Sequence, residues 1–290
     1  MQLESYDVIV LGSGAAGVPA AIAAAESGAS VALIERGPIP GGELIGGLPI
    51  LGAANGDGQW IVRGVLERLL GRLDALGGYV GLFFDWRTMW GACIDPEMMK
   101  LVVIDELVAA GVTMRLSTQA IDVVTDADGH VESIVVTDGN HQRMLRAATF
   151  VDASGDGWLA SRAGAEMVIG DGAGDLQPVS LTFRLSGVDI PKLLGFVATH
   201  PEELIVSENP IITEDPAAAA RRIAEGGQPF FSLSGEQGTT MLGRAIERGE
   251  MFPTTAYYTW PTSTKRREVG LNVTRLTGVD GADARSVSAA

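Results

Sequence analysis

The chain has 290 residues, 46% of them hydrophobic and 20% charged, a globular composition long enough for a large core and two domains. Its formal net charge of −15 argues against a nucleic-acid or anionic-membrane partner, since both demand basic surface. A single cysteine, Cys93, rules out an internal disulfide and a CxxC redox pair, and no apolar run reaches the length of a membrane span.

Residues 6–11 read as a short apolar strand, and the turn Gly12-Ser13-Gly14-Ala15-Ala16-Gly17 follows at once. An Ala- and Ile-rich helix over 18–27 stops at Gly28, and a second apolar strand over 30–35 ends on the acid Glu35. Strand, glycine turn, helix, strand and acid make a dinucleotide-binding βαβ unit. Gly12 serves the tight turn, Gly14 leaves room for a pyrophosphate against the backbone, and Gly17 lets the helix pack closely on the sheet. The helix start, with its N–H groups and dipole, suits phosphate charge. Glu35 suits the hydroxyls of an adenosine ribose and would repel a 2′-phosphate, which disfavours NADP. Pro19 predicts a kink or an irregular first turn in the helix.

The glycines and prolines of residues 36–58 predict a long loop that wraps the rest of an extended cofactor. Helical spacing follows over 60–76, then an aromatic, β-prone stretch over 79–90. Asp95-Pro96-Glu97 opens a helix that runs to about residue 110, and a strand spans 112–117. Three β-prone runs, 120–125, 131–137 and 142–148, are separated by turn sequences and form an antiparallel meander. A further strand from 149 enters a second glycine turn, Ala153-Ser154-Gly155-Asp156-Gly157, with a short helix after it. Beyond residue 178 strands are expected over 179–185, 230–233, 257–260 and 268–275, and helices over 189–204, 216–224 and 238–248. The predicted fold class is α/β: a Rossmann-like FAD/NAD(P)-binding domain with a β-meander over 1–177, plus a mixed α+β substrate or cap domain over 178–290.

With these residues in hand, the chain resembles the FAD-dependent oxidoreductases of the glutathione-reductase and fumarate-reductase types. The resemblance rests on Gly12, Gly14 and Gly17 with Glu35, on the Gly41-Gly42 pair, on Asp95-Pro96-Glu97 with Lys100, on the second glycine turn, and on Asn272-Val273-Thr274-Arg275. It implies that Gly12, Ser13, Gly14, Ala15, Ala16 and Gly17 hold the pyrophosphate of FAD. Glu35, with Arg36 beside it, would meet the adenosine ribose, and the backbone at Gln119 and Ala120 the adenine. Gly41 and Gly42 would approach the diphosphate and ribityl region, and Ala153, Ser154, Gly155 and Asp156 would close over the ADP half. The implied reaction is hydride transfer between a small-molecule substrate C–H and flavin N5, followed by reoxidation by a second acceptor.

Two departures from that family shape the expectation. Glu43-Leu44-Ile45-Gly46 stands where some relatives carry a flavin-attaching histidine, so FAD is expected to be non-covalent. The family's C-terminal return to the flavin is not matched after Arg275, so the ring site is expected to need a missing C-terminal segment or a partner chain. Two rival readings stay open: an NAD-dependent dehydrogenase, and a nucleotide-binding flavoprotein fragment without activity of its own. With no leader ahead of the first strand, the expected compartment is the cytoplasm.

No acid/base residue is identified, and no metal is expected. His130 and His141 sit beside turns and should be solvated, and His200 is read as a surface residue. Cys93 reads as a buried apolar thiol. Lys265-Arg266-Arg267 reads as an exposed basic cluster, whereas Arg275, alternating with Val273, is the candidate for an anionic substrate group. Trp86, Trp90 and Trp260 either pack a core or wall a flavin pocket.

Overall fold

The computed structural model describes residues 2–172, 174–206 and 214–290. In chain order the elements are β1 (Gln2–Leu11), α1 (Gly17–Glu26), β2 (Val31–Ile34), β3 (Ile50–Leu51), α2 (Val65–Ala75), β4 (Tyr79–Phe84), β5 (Trp90–Ile94) and α3 (Pro96–Ala109). Then come β6 (Thr113–Arg115), β7 (Gln119–Thr125), β8 (Val131–Thr137), β9 (Gln142–Asp152), α4 (Trp158–Arg162) and β10 (Thr182–Leu185). The last are α5 (Ile190–Thr199), α6 (Pro216–Gly226), β11 (Phe231–Ser234), α7 (Met241–Glu247), β12 (Ala256–Ser263), β13 (Glu268–Asn272) and α8 (Ala284–Ala289). Among the described residues no helix is long and apolar enough to cross a membrane.

Contacts divide the chain into two units. The first comprises Met1–Gly47, Arg63–Gly78 and Pro96–Met167. Its sheet runs β6-β2-β1-β9-β8-β7, with β6, β2, β1 and β9 parallel and the meander strands antiparallel. Ile9, Val10 and Val31–Ile34 are buried, as expected for parallel strands covered on both faces. Helix α1 buries Gly17, Val18, Ala21 and Ile22, which share one face.

The second unit comprises Leu48–Val62, Tyr79–Asp95 and Val168–Ala290. It holds a four-stranded antiparallel sheet, β10-β13-β12-β11, and a three-stranded one, β3-β5-β4. One core gathers Leu194, Val197, Ile223, Phe231 and Leu233, and another centres on Cys93, Phe230 and Trp260.

Several elements differ from the sequence expectation for identifiable reasons. Pro19 does not break α1. It omits one bond between Val18 N–H→Gly14 O (3.0 Å) and Ala20 N–H→Ala16 O (3.2 Å), and the helix is continuous. The third meander run and the returning parallel strand are one strand: β9 pairs antiparallel with β8 at Gln142–Arg146 and parallel with β1 from Arg143 to Asp152. Helix α2 starts at Val65 because Gly64, at φ 72° and ψ −120°, has a backbone conformation reserved to glycine. The 189–204 helix ends at Thr199, ahead of Pro201, whose ring disfavours α geometry at the residue before it. The 36–58 loop contains a 3₁₀ turn at Gly42–Ile45 and the short strand β3. The single boundary at 177/178 also differs from the contact division, in which the aromatic hairpin β4–β5 joins the second unit despite its early place in the chain.

Candidate functional site

The C-terminal ends of β1, β2 and β9 face one cleft of about 700 Å³ in the first unit. It is lined by Gly12, Ser13, Gly14, Ala15, Ala16, Glu35, Arg36, Gly42, Ala153, Ser154, Gly155 and Asp156, all of them singled out from sequence. A smaller pocket shares Gly12, Glu35, Arg36, Ser154 and Asp156 with the cleft and extends it to Gln119 and Ala120, with walls from Leu11, Ile34, Thr118 and Trp158. The structure therefore brings together residues from five separate stretches of sequence. Gly17 and Gly41 stand behind the lining rather than in it.

The glycines do distinct work. A Cβ at Gly12, whose φ is 94°, would lie 2.2 Å from the Ala153 carbonyl oxygen; one at Gly17 would lie 1.8 Å from the Gly12 oxygen. These two glycines let β1, β9 and α1 approach one another. Gly14 is different: nothing lies within 4 Å of the Cβ it lacks, so its open side faces space rather than packing. Helix α1 begins without a side-chain cap and without an acidic residue in its first turn.

Glu35 is fastened before any ligand is considered. The Ser13 amide (3.0 Å) and hydroxyl (2.5 Å) donate to its Oε2, and the Gly37 amide (2.6 Å) donates to its Oε1. Burial pushes its pKa up, but the Ser13 hydroxyl and the two amides outweigh this and hold it below the ordinary glutamate value. Ser13 is fully buried, and the Gly41 amide donates to its carbonyl (2.9 Å) and hydroxyl (3.3 Å) oxygens. One serine thus links the glycine turn, the acid and the Gly41-Gly42 segment.

The second glycine turn has its own brace. Asp152 accepts from the amides of Ser154 (3.0 Å) and Ala160 (2.8 Å), while the Trp158 amide donates to Ser154 Oγ (3.0 Å). Burial again opposes ionisation of Asp152, and its hydrogen bonds from Ser154 and Ala160 overcome it, leaving its pKa lowered. Asp152, Glu43, Thr118 and Trp158 are lining residues that the sequence reading left out. Asp152 and Trp158 flank the Ala153–Gly157 turn, which was the available signal. Thr118 could have been found as the neighbour of Gln119.

The remaining candidates fall elsewhere. Arg275, expected to point inward, belongs to the second unit and is exposed, because β13 ends at Asn272 and the alternation stops with it. Arg266 is not part of a solvated triplet. It donates to Asp95 Oδ2 (2.9 Å) and Oδ1 (3.0 Å) and to Glu268 Oε1 (3.2 Å) and Oε2 (3.3 Å). Glu268 also accepts from Ser186, Thr262 and Arg184; burial raises its pKa, but the hydrogen bonds and charge of Arg266, with the Ser186 and Thr262 hydroxyls, bring it down to about 2. Cys93 is fully buried, and burial pushes its thiol pKa well up. His130 and His141 are exposed at their turns, and the His200 ring stacks on Phe196 with centroids 4.5 Å apart.

Comparison with known proteins complements this geometry. The family model "FAD dependent oxidoreductase" matches residues 7–286. A fumarate reductase (cytochrome) of Shewanella frigidimarina is 27% identical over 175 residues, covering 46% of this chain and 30% of that protein. A 3-oxosteroid 1-dehydrogenase of Mycobacterium tuberculosis is 34% identical over 112 residues, covering 36% and 18% respectively. The matches thus span less than a third of these relatives' length. Among solved structures, a geranylgeranyl bacteriochlorophyll reductase-like protein from Thermoplasma acidophilum superimposes with a TM-score of 0.50 at 16% identity, over 93% of this chain and 56% of that one, a likeness of fold.

Proposed function

The chain belongs to the FAD dependent oxidoreductase family, and on that premise we propose that the first unit binds FAD non-covalently through the cleft at Gly12–Gly17, Glu35 and Ala153–Asp156. The carrying observation is Gly14. Its missing side chain leaves open space at the start of α1, whereas a Cβ at Gly12 or Gly42 in the same cleft would meet backbone. The uncapped start of α1 beside it offers N–H groups to a pyrophosphate. Glu35, already ionised and held by Ser13 and Gly37, offers its remaining lone pairs to ribose hydroxyls. The smaller pocket, with apolar walls at Leu11, Ile34 and Ala120, suits a planar base. Arg36 and the backbone of Gln119 complete that end, and Gly41 and Gly42 lead away from it.

When bound, the isoalloxazine supplies hydride acceptance and donation. The protein's part is to fix the cofactor by backbone contacts and to exclude a 2′-phosphate at Glu35. We further propose oxidoreduction of a small organic molecule, by analogy with the fumarate reductase and 3-oxosteroid 1-dehydrogenase relatives, with the second unit as the substrate domain. A cytoplasmic setting is compatible with the single, buried thiol. Flavin-fluorescence titration of the stripped protein tests the cofactor reading. FAD is expected to bind at a 1:1 ratio and to be released intact by denaturation; NAD binding in its place would overturn the reading.

A further inference from the structure

We propose that the aromatic hairpin cavity of the second unit is a binding site for a single aromatic ring bearing a carboxylate. The cavity has a volume of about 160 Å³. A cavity of roughly 150 Å³ is known to accept benzene, so one six-membered ring is the size that fits. Phe83, Phe84, Trp86, Trp90 and Phe230 supply its faces and edges, and Arg222 stands among them.

The hairpin is built to present these rings. All six residues of β4 are only half-buried, so neither face of the strand disappears into a core. Phe84 meets Trp86 edge-on and Trp90 at a tilt, each with centroids 5.3 Å apart. Trp90 is pinned by its indole N–H donating to the Gly56 oxygen (3.0 Å). Phe230 reaches the hairpin because Gly91 has no Cβ, which would otherwise sit 2.6 Å from the ring.

Trp86 is the least expected member. Its φ is 58°, in the left-handed region that a bulky residue rarely enters. The neighbouring Asp85 holds it there: its carboxylate accepts from the amides of Arg87 (3.0 Å), Thr88 (2.7 Å) and Met89 (2.9 Å) and from the Thr88 hydroxyl (2.7 Å). Strain that is over-determined by its surroundings is a feature of ligand clamps. Here the strained residue places an indole on the cavity wall.

Arg222 supplies the charge. Its guanidinium lies 5.3 Å over the Trp86 ring, and its Nε side faces Glu214 at 3.5 Å. Stacking and the ion pair orient the fork, and a planar guanidinium matches a carboxylate bidentately. Gln228 adds an amide to the same wall. A ring slot of one-ring volume with an oriented Arg at its edge selects an aryl carboxylate over an aliphatic acid or a neutral arene.

The test is titration of the whole chain with benzoate and with benzyl alcohol, followed by tryptophan fluorescence and calorimetry. Benzoate is expected to saturate with about millimolar affinity or better. Arg222→Gln, at an exposed position, should weaken benzoate about tenfold and leave benzyl alcohol within about twofold. Trp86→Asn, with a residue that tolerates the left-handed backbone, should abolish both. Should that variant fail to fold, Arg222→Gln decides alone. Absence of benzoate binding at tens of millimolar, or equal benzoate binding by Arg222→Gln and the parent chain, would overturn the proposal.

Discussion

The two units build their candidate sites from different materials. In the first unit the cleft is made of backbone: glycines that let strands and a helix meet, two glycines, Gly14 and Gly155, that leave gaps, and a carboxylate fixed by amides. In the second unit the notable features are side chains from distant stretches: the aromatic cavity joins residues near 85 with residues near 225, and Asp95 meets Arg266. A backbone site is tied to local geometry and is written in short motifs. A side-chain site depends on the tertiary meeting of residues whose individual types carry no signal.

The contrast is sharpest at Gly12 and Gly14, two residues apart. Gly12→Ala should destabilise the first unit by about 3 kcal/mol, because the new methyl is both at φ 94° and 2.2 Å from a carbonyl oxygen. Gly14→Ala should leave urea denaturation within about 0.5 kcal/mol of the parent and still impair FAD binding. Equal stability losses in both variants would erase the distinction between packing glycine and ligand glycine.

Glu35→Gln follows in size. Charge-assisted hydrogen bonds contribute roughly 1.5–3 kcal/mol, so FAD affinity should fall about tenfold to a hundredfold. The folded protein should also lose a pH response. The pKa of Glu35 is lowered on folding, so the carboxylate stabilises the native state at neutral pH and the contribution is lost as pH falls through that lowered value. An acid-side stability curve unchanged by Glu35→Gln would contradict the observed hydrogen bonds.

In the second unit, Arg266→Gln takes a shared guanidinium away from two buried carboxylates, Asp95 and Glu268. Arg266 is itself 36% exposed, so about 2 kcal/mol is expected rather than the roughly 3–5 kcal/mol of a fully enclosed pair. The parent should hold the contribution of Glu268 above the ordinary glutamate range and lose it as pH falls toward about 2. Chemical denaturation at pH 7 and pH 3 separates the cases, since the variant should lose less than the parent on acidification. Ser13→Ala is the smallest change, about 1.5 kcal/mol, since it removes the charge-assisted hydroxyl bond to Glu35 and the longer one from the Gly41 amide while the Ser13 and Gly37 amides still hold the carboxylate, with a modest loss of FAD affinity as Glu35 gains freedom.

How much was legible in sequence follows the same division. The βαβ unit, the meander and the cleft residues from Gly12 to Asp156 were readable because turns and parallel strands impose residue types locally. The fusion of the third meander run with the returning strand was not, because no turn residue separates 142–148 from 149–152. Arg266 was misread because its triplet resembles a solvated cluster, and only folding brings Asp95 to it. Arg275 was misread because period-two alternation was extended past the end of β13. The partition of 48–62 and 79–95 into the second unit left no compositional trace.

The most direct test of the cofactor assignment is the visible absorption spectrum of the purified chain after addition of FAD and removal of excess, with mass spectrometry of whatever denaturation releases. A stoichiometric flavin band and intact released FAD, both lost in Gly14→Ala or strongly reduced in Glu35→Gln, are the expected result. A chain that stays colourless, or one whose flavin retention is indifferent to both substitutions, would contradict the placement of FAD in the Gly12–Asp156 cleft.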